Sequence, residues 1–182
     1  MSNAAISEKS PPFFILTGPP GAGKSTLLRT LEARIQTVNE PARRVLEEAR
    51  RSRNGATGTE NPARFVSEML NLGIEDYQNA QGPTLFDRAL PDVLAYCAYY
   101  QVPDHAVRHA IKAHQYRSPV FFLPAWEGIY QKDEERTLDF SGAEAFGQRV
   151  AAAYHSSEYV MVEVPFGDPQ VRADFVWRKI NA

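Results

Sequence analysis

GPPGAGKST, residues 18–26, is the stretch that most restricts what this chain can fold into. It fits G-x-x-x-x-G-K-[ST] in full, between the apolar run FFILT (13–17) and the helical pattern STLLRTLEARI (25–35). The chemistry accounts for the letters. Backbone N–H groups must turn inward around a polyphosphate, and glycines permit the tight backbone angles and the close approach. The helix that begins near Gly23 adds its positive N-terminus. Lys24 then supplies a cation for the β- and γ-phosphates, and Ser25 a hydroxyl for Mg²⁺. Gly18, Pro19, Pro20, Gly21, Ala22, Gly23, Lys24, Ser25 and Thr26 are therefore the expected nucleotide-binding residues. A plain glycine turn between strand and helix is the simpler reading, but motif and context agree against it.

The rest of the chain alternates short apolar segments with longer helical ones. Strands are expected at 13–17, 36–40, 83–87, 119–124 and 158–165. Pro41 and Pro91 are well placed to open helices. SRNGATGTENP (52–62) reads as a loop, and Asp168 as the cap of the last helix. FFIL, VFFL and YVMV are continuous rather than alternating apolar runs, as strands buried on both faces are. Strand–helix alternation of this kind means a parallel sheet with helices on both sides. The expected architecture is an α/β P-loop NTPase: a doubly wound, three-layer, five-stranded parallel sheet in order 2-3-1-4-5 with a short lid at 124–141. Residues 1–182 read as one domain, with 1–10 as a tail outside the fold argument.

Composition sets limits on partners. A net charge of −2 argues against a general polyanion-binding surface, so duplex nucleic acid is not expected. No apolar run is long enough to span a bilayer, and no signal peptide is visible. One cysteine, Cys97, forms no internal disulfide and fits a reducing, cytoplasmic setting.

From the loop onward the chain resembles the small P-loop kinases. GPPGAGKSTLL, EPARRVLEEA, FDRALPDVLAY and VFFLPAW...Y...DEER, in that order, resemble a family of single-domain AAA-type ATPases. That family includes the nicotinamide riboside kinase domain of a bacterial NAD-biosynthesis regulator and a eukaryotic GTP- and phosphoinositide-binding trafficking protein. FDR follows the third strand where a ring motor would carry an acidic pair, so a motor is not expected.

Three clusters are candidates for chemistry beyond the loop. Glu40 ends the second strand, where ligands of doubly wound sheets gather. A carboxylate there either takes a proton from an acceptor hydroxyl or sits at a helix start, favoured by the dipole. EPAR is similar to the segment of deoxyribonucleoside kinases that carries their catalytic carboxylate. That likeness implies Glu40 as base and Arg43 as a substrate-positioning group. Asp87 and Arg88 end the third strand. Asp87 is suited to Mg²⁺ and Arg88 to a phosphate or to the acceptor's reacting end, with a structural salt bridge as the competing reading. Asp92 either faces the acceptor or caps its helix. In QKDEERTLDF (131–140) the resemblance implies a lid whose Arg136, and secondarily Lys132, reaches the transferring phosphate; a solvated loop is the alternative. Trp126 either stacks on an acceptor or packs at the rim. The arginine-rich helix RRVLEEARRSR, the pair His105 and His109, and Cys97 read as a solvated face, surface histidines and a core thiol. Phe166 and Arg172 follow the fifth strand, where related folds pack the nucleotide base.

The expected function is ATP- and Mg²⁺-dependent phosphoryl transfer to a small, nucleoside-like acceptor. Lys24, Glu40, Asp87, Arg88 and Arg136 are the catalytic candidates, Ser25 and Asp87 the metal ligands, and Arg43, Asp92 and Trp126 the acceptor contacts. GTP is left open as donor. The alternative is a nucleotide-dependent switch that hydrolyses ATP or GTP slowly and engages a protein or an anionic lipid.

Overall fold

A computed structural model describes residues 10–52, 57–131 and 138–182. Five strands form one sheet: β1 (Phe13–Thr17), β2 (Gln36–Val38), β3 (Thr84–Asp87), β4 (Val120–Phe122) and β5 (Met161–Glu163). Every pairing is parallel and the order is β2-β3-β1-β4-β5, as the strand–helix alternation predicts. The helices are α1 (Lys24–Leu31), α2 (Pro41–Ser52), α3 (Pro62–Asn79), α4 (Leu90–Tyr100), α5 (His105–Ala113), α6 (Phe140–Ser156) and α7 (Pro169–Ile180). A single 3₁₀ turn, Glu127–Ile129, follows β4.

Alternation along β1 sorts the core into two halves. Phe13 and Ile15 point to one face, where helices α2 to α6 supply Val45, Phe65, Met69, Leu90, Val107 and Val150. Phe14 and Leu16 point to the other, against Leu27, Leu28 and Leu31 of α1 and Val176 of α7. All five residues of β1 are buried, which explains why FFILT carries no polar alternation.

Four strands are shorter than the sequence suggests, β3 only by its first residue. β2 stops at Val38, β4 at Phe122 and β5 at Glu163, so Glu40 lies just beyond its strand. Helix starts are fixed locally: the Asn61 side chain accepts the Arg64 N–H at 3.1 Å, and the Asp139 side chain accepts that of Gly142 at 2.8 Å. Asp168 holds the N-cap position of α7 but makes no side-chain capping bond, contrary to expectation. Order reverses around β1, which has β3 on one side and β4 on the other, so the carboxyl ends of β1 and β3 open onto a crevice.

Candidate functional site

β1 delivers the chain into the phosphate loop through Gly18, whose φ is +141°. A Cβ there would stand 2.2 Å from the Leu123 carbonyl oxygen, so only glycine lets the loop leave alongside the end of β4. Lys24 is buried and folds back over the loop. Its Nζ donates to the carbonyl oxygens of Gly18 at 3.2 Å and Pro19 at 2.9 Å. Burial, and then the nearby Arg88 charge, pulls its ammonium down to about 8.

Glu40 and Arg88 meet at the crevice floor. The Arg88 Nε donates to Glu40 Oε1 at 2.7 Å, and its Nη1 to Asp92 Oδ1 at 2.8 Å. Arg88 is only 3% exposed, and its φ of +66° lies where non-glycine residues are rarely found. Its own N–H holds that geometry by donating to the Leu16 carbonyl at 3.0 Å. Burial would raise the Glu40 carboxyl, but Arg88, Lys24 and Arg43 outweigh it and hold it below the usual carboxylate range. Arg43 approaches from α2, its Nε 3.5 Å from Glu40 Oε2.

Asp87 is the neighbouring carboxylate with a different environment. It is buried, its Oδ1 has no hydrogen-bond partner, and burial followed by the Glu40 charge pushes it up to about 6. A buried acceptor oxygen left open beside a phosphate loop fits a hydrated Mg²⁺. Such an ion takes few protein ligands and completes its shell with water and phosphate. Ser25 lies in the adjoining cavity wall. Among the described residues no cluster of three or more histidines, cysteines or carboxylates gathers as a self-sufficient metal cage.

A cavity of about 340 Å³ joins the loop to Glu40, Arg43 and Arg88, while Asp87 does not line it. Gly21, Gly23, Lys24, Ser25 and Thr26 form its phosphate end, and Glu40, Arg43 and Arg88 its middle. Beyond them the walls are aromatic: Phe65, Tyr96, Tyr99, Tyr100 and Phe146. Edge-on contacts of 6.0 and 6.1 Å tie Phe65 to Tyr96 and Tyr100. The Tyr96–Tyr99–Tyr100 run is not among the candidates the sequence offers. The visible signal was its i, i+3, i+4 spacing, which puts three rings on one side of a helix.

The remaining candidates fall in different places. Asp92 does not line the cavity. Its Oδ2 accepts the Ala89 N–H at 2.9 Å and the Tyr154 hydroxyl, and its Oδ1 accepts Thr17 Oγ1 at 2.5 Å besides Arg88. The capping reading is thus the one realised, with the carboxylate consumed inside the fold. Trp126 does not line the cavity either. The 3₁₀ turn after it carries the chain back over the loop, and its ring packs 4.9 Å from that of Phe166, facing the Arg172 guanidinium. Tyr130 stands over Gly21, and its hydroxyl donates to the Leu138 carbonyl at 2.6 Å. Lys132 and Arg136 lie outside the described residues.

A glycine-rich loop between a buried strand and a helix, on a parallel sheet of order 2-3-1-4-5, defines a P-loop protein with the fold of the nucleoside and nucleotide kinases. The model of the AAA domain family matches residues 13–172, and the chain belongs to that family. Among solved structures it is similar to deoxyadenosine kinase from M. mycoides with bound dATP. The two share 14% identity and a TM-score of 0.61, over 93% of this chain and 100% of that one. It is similar also to the NadR protein in complex with NAD and AMP-PNP, at 14% identity and a TM-score of 0.66, covering 99% of this chain and 52% of NadR. Thymidylate kinase from Ehrlichia chaffeensis gives 13% identity and a TM-score of 0.61, over 95% and 99% of the two chains. A comparison with curated sequences finds no match. Among the described residues no helix is long and apolar enough to cross a membrane.

Proposed function

We propose that this protein is an ATP- and Mg²⁺-dependent phosphotransferase acting on a small, nucleoside-like acceptor. One observation carries the reading: a single cavity runs from the Lys24 loop, past the Glu40–Arg88 pair, into an aromatic compartment. A donor's phosphates fit the first part and a flat, ring-bearing acceptor the last, with the carboxylate between them. The neighbours named above bind nucleotides or are nucleoside and nucleotide kinases, which supports the same class.

The roles follow from the electrostatics. Asp87 and Ser25 would hold Mg²⁺, which when bound neutralises phosphate charge. Lys24, released from the Gly18 and Pro19 carbonyls, pairs with the donor's terminal phosphates. Glu40 accepts the hydrogen bond of the acceptor hydroxyl and, as that oxygen bonds to the terminal phosphorus and the bond to the donor's leaving oxygen breaks, takes the proton. Its depressed pKa makes it a weak base, which suits a loose transition state in which the nucleophile is deprotonated late. Its larger contribution is to fix the hydroxyl in line, and Arg88 fixes it in turn. Arg88 has its Nε and Nη1 committed to carboxylates, so it offers the cavity a fixed positive charge rather than an open fork.

Incubation with ATP, Mg²⁺ and a panel of nucleosides, read by mass spectrometry, tests the proposal. A phosphorylated nucleoside is the expected product, and free phosphate alone would favour a hydrolytic switch instead. Glu40→Gln should keep ATP affinity while losing about a hundredfold or more in transfer. Undiminished turnover in that variant would remove Glu40 from the mechanism.

A further inference from the structure

Arg172 poses a charge problem that the cavity chemistry leaves untouched. It projects from α7, is 3% exposed, and among the described residues pairs with no carboxylate. Its Nη1 and Nη2 each donate to the Ala22 carbonyl oxygen at 3.3 Å, while its Nε has no acceptor. The Trp126 ring lies over the guanidinium at 5.6 Å. Gly23 is so close that a Cβ there would stand 2.9 Å from Nη1.

A buried guanidinium with only a carbonyl and a ring face for company is poorly compensated. The positive N-terminal end of α1 adds to this, because Gly23, which caps that helix, lies against the guanidinium. Two positive sources converge on one loop, and that becomes favourable when a polyanion fills the loop. The bonding to Ala22 gives the convergence a structural route. In a trans peptide the carbonyl and the next N–H point opposite ways, so the guanidinium gripping Ala22 O directs the Gly23 N–H away from itself. Hydrogen bonding at the oxygen also polarises that N–H as a donor.

We propose that Arg172 is a positioning residue for the donor's polyphosphate: it grips the Ala22–Gly23 peptide from behind the loop and adds its charge to the phosphate end of the cavity. The ligand class is a magnesium-bound di- or triphosphate chain, irrespective of the base attached to it. The role differs from that of Lys24, which touches the phosphates directly. The inference rests on reading the loop as a polyphosphate grip. Failure of native protein to bind tripolyphosphate would remove that reading, and the proposal with it.

Titration calorimetry with magnesium tripolyphosphate and with ADP, on native protein, Arg172→Met and Arg172→Lys, supplies the test, with circular dichroism to verify folding. Arg172→Met should weaken both ligands by a common factor of about ten. Arg172→Lys keeps the charge without the planar fork and should fall between Met and native. A folded Arg172→Met that binds tripolyphosphate as tightly as native overturns the proposal. So does a loss for ADP with none for tripolyphosphate, which would assign Arg172 to the nucleoside half. Should Arg172→Met not fold, Arg172→Lys decides: weaker tripolyphosphate binding supports the role, and unchanged binding refutes it.

Discussion

Replacing Asp92 by asparagine tests whether Arg88 is held by a fixed network or by a loose ion pair. The side chain keeps its shape, so the loss can be reasoned bond by bond. Oδ1 accepts from Arg88 Nη1 and Thr17 Oγ1, and Oδ2 from the Ala89 N–H and the Tyr154 hydroxyl. An asparagine must turn its NH₂ toward one of these pairs. The hydroxyls of Thr17 and Tyr154 can rotate to accept, but Arg88 and the Ala89 N–H can only donate. Either flip therefore sets a donor against a donor inside the protein. To that is added an Arg88 that has lost one of its two anionic partners.

Breaking one side of a buried pair costs about 3–5 kcal/mol, and leaving a buried donor unmet lies within that figure rather than on top of it. For a domain of this size each kcal/mol corresponds to about 2–4 °C, so Asp92→Asn should lower the melting temperature by roughly 6–20 °C. Urea denaturation followed by circular dichroism measures the same loss, with m unchanged if only stability is affected. Glu40 still holds Arg88 Nε in the variant, so ATP affinity should survive where the protein is folded. A stability loss below about 1 kcal/mol would refute the reasoning, because it would mean the four bonds are replaceable by water or by local repacking.

Two further outcomes follow from the loop. Gly18→Ala should cost about 2–4 kcal/mol in urea denaturation, given φ +141° and a carbonyl 2.2 Å from the new Cβ; a cost under about 1 kcal/mol would show that the end of β4 yields. Lys24→Met isolates a titration, because methionine has no proton to lose. The Lys24 pKa is near 8 in the nucleotide-free fold against 10.5 when unperturbed, so between those values the unfolded chain holds the proton that the fold has released. Stability of native protein relative to Lys24→Met should therefore rise with pH across that window, by about 3 kcal/mol. A difference that stays flat from pH 8 to pH 10.5 would mean that the ammonium is solvated rather than buried.

What could be read in the sequence was whatever short-range pattern encodes. The phosphate loop, the continuous apolar strands and the polar residues at strand ends are all local, and each points to the crevice. Glu40, Asp87 and Arg88 were legible for that reason. What joins them was not. Thr17 and Tyr154 reach Asp92 across 75 and 62 residues, and Arg172 reaches Ala22 across 150, with no motif to announce either contact. The positive φ of Arg88 was equally hidden, since the backbone bond to Leu16 that holds it leaves no mark on the sequence. Trp126, which follows β4 at the cleft, could from the sequence either stack on an acceptor or pack at the rim. The 3₁₀ turn at Glu127–Ile129, invisible as a pattern of only three residues, brings its ring against Phe166 and the Arg172 guanidinium.

The groups the sequence did reveal share a property that only the structure exposes. Lys24 is bonded to the carbonyls of its own loop, Asp87 Oδ1 has no partner, and Arg172 Nε has none. Apart from the hydroxyl of Tyr116, these last two are the buried side-chain polar atoms left unpaired among the described residues. Buried polar groups ordinarily find partners within the fold, because each one left open destabilises it. Both of these belong to the neighbourhood of one loop, and a metal-bound polyphosphate answers both: a cation for the carboxylate and, from the far side of the Ala22–Gly23 peptide, a compensating negative charge for the guanidinium. The nucleotide-free protein thus carries an electrostatic cost confined to the site, and a ligand that relieves it gains affinity from that relief as well as from its own contacts. On this argument nucleotide stabilisation of the fold should shrink when Arg172 or Asp87 is neutralised, because the cost being relieved is then already gone.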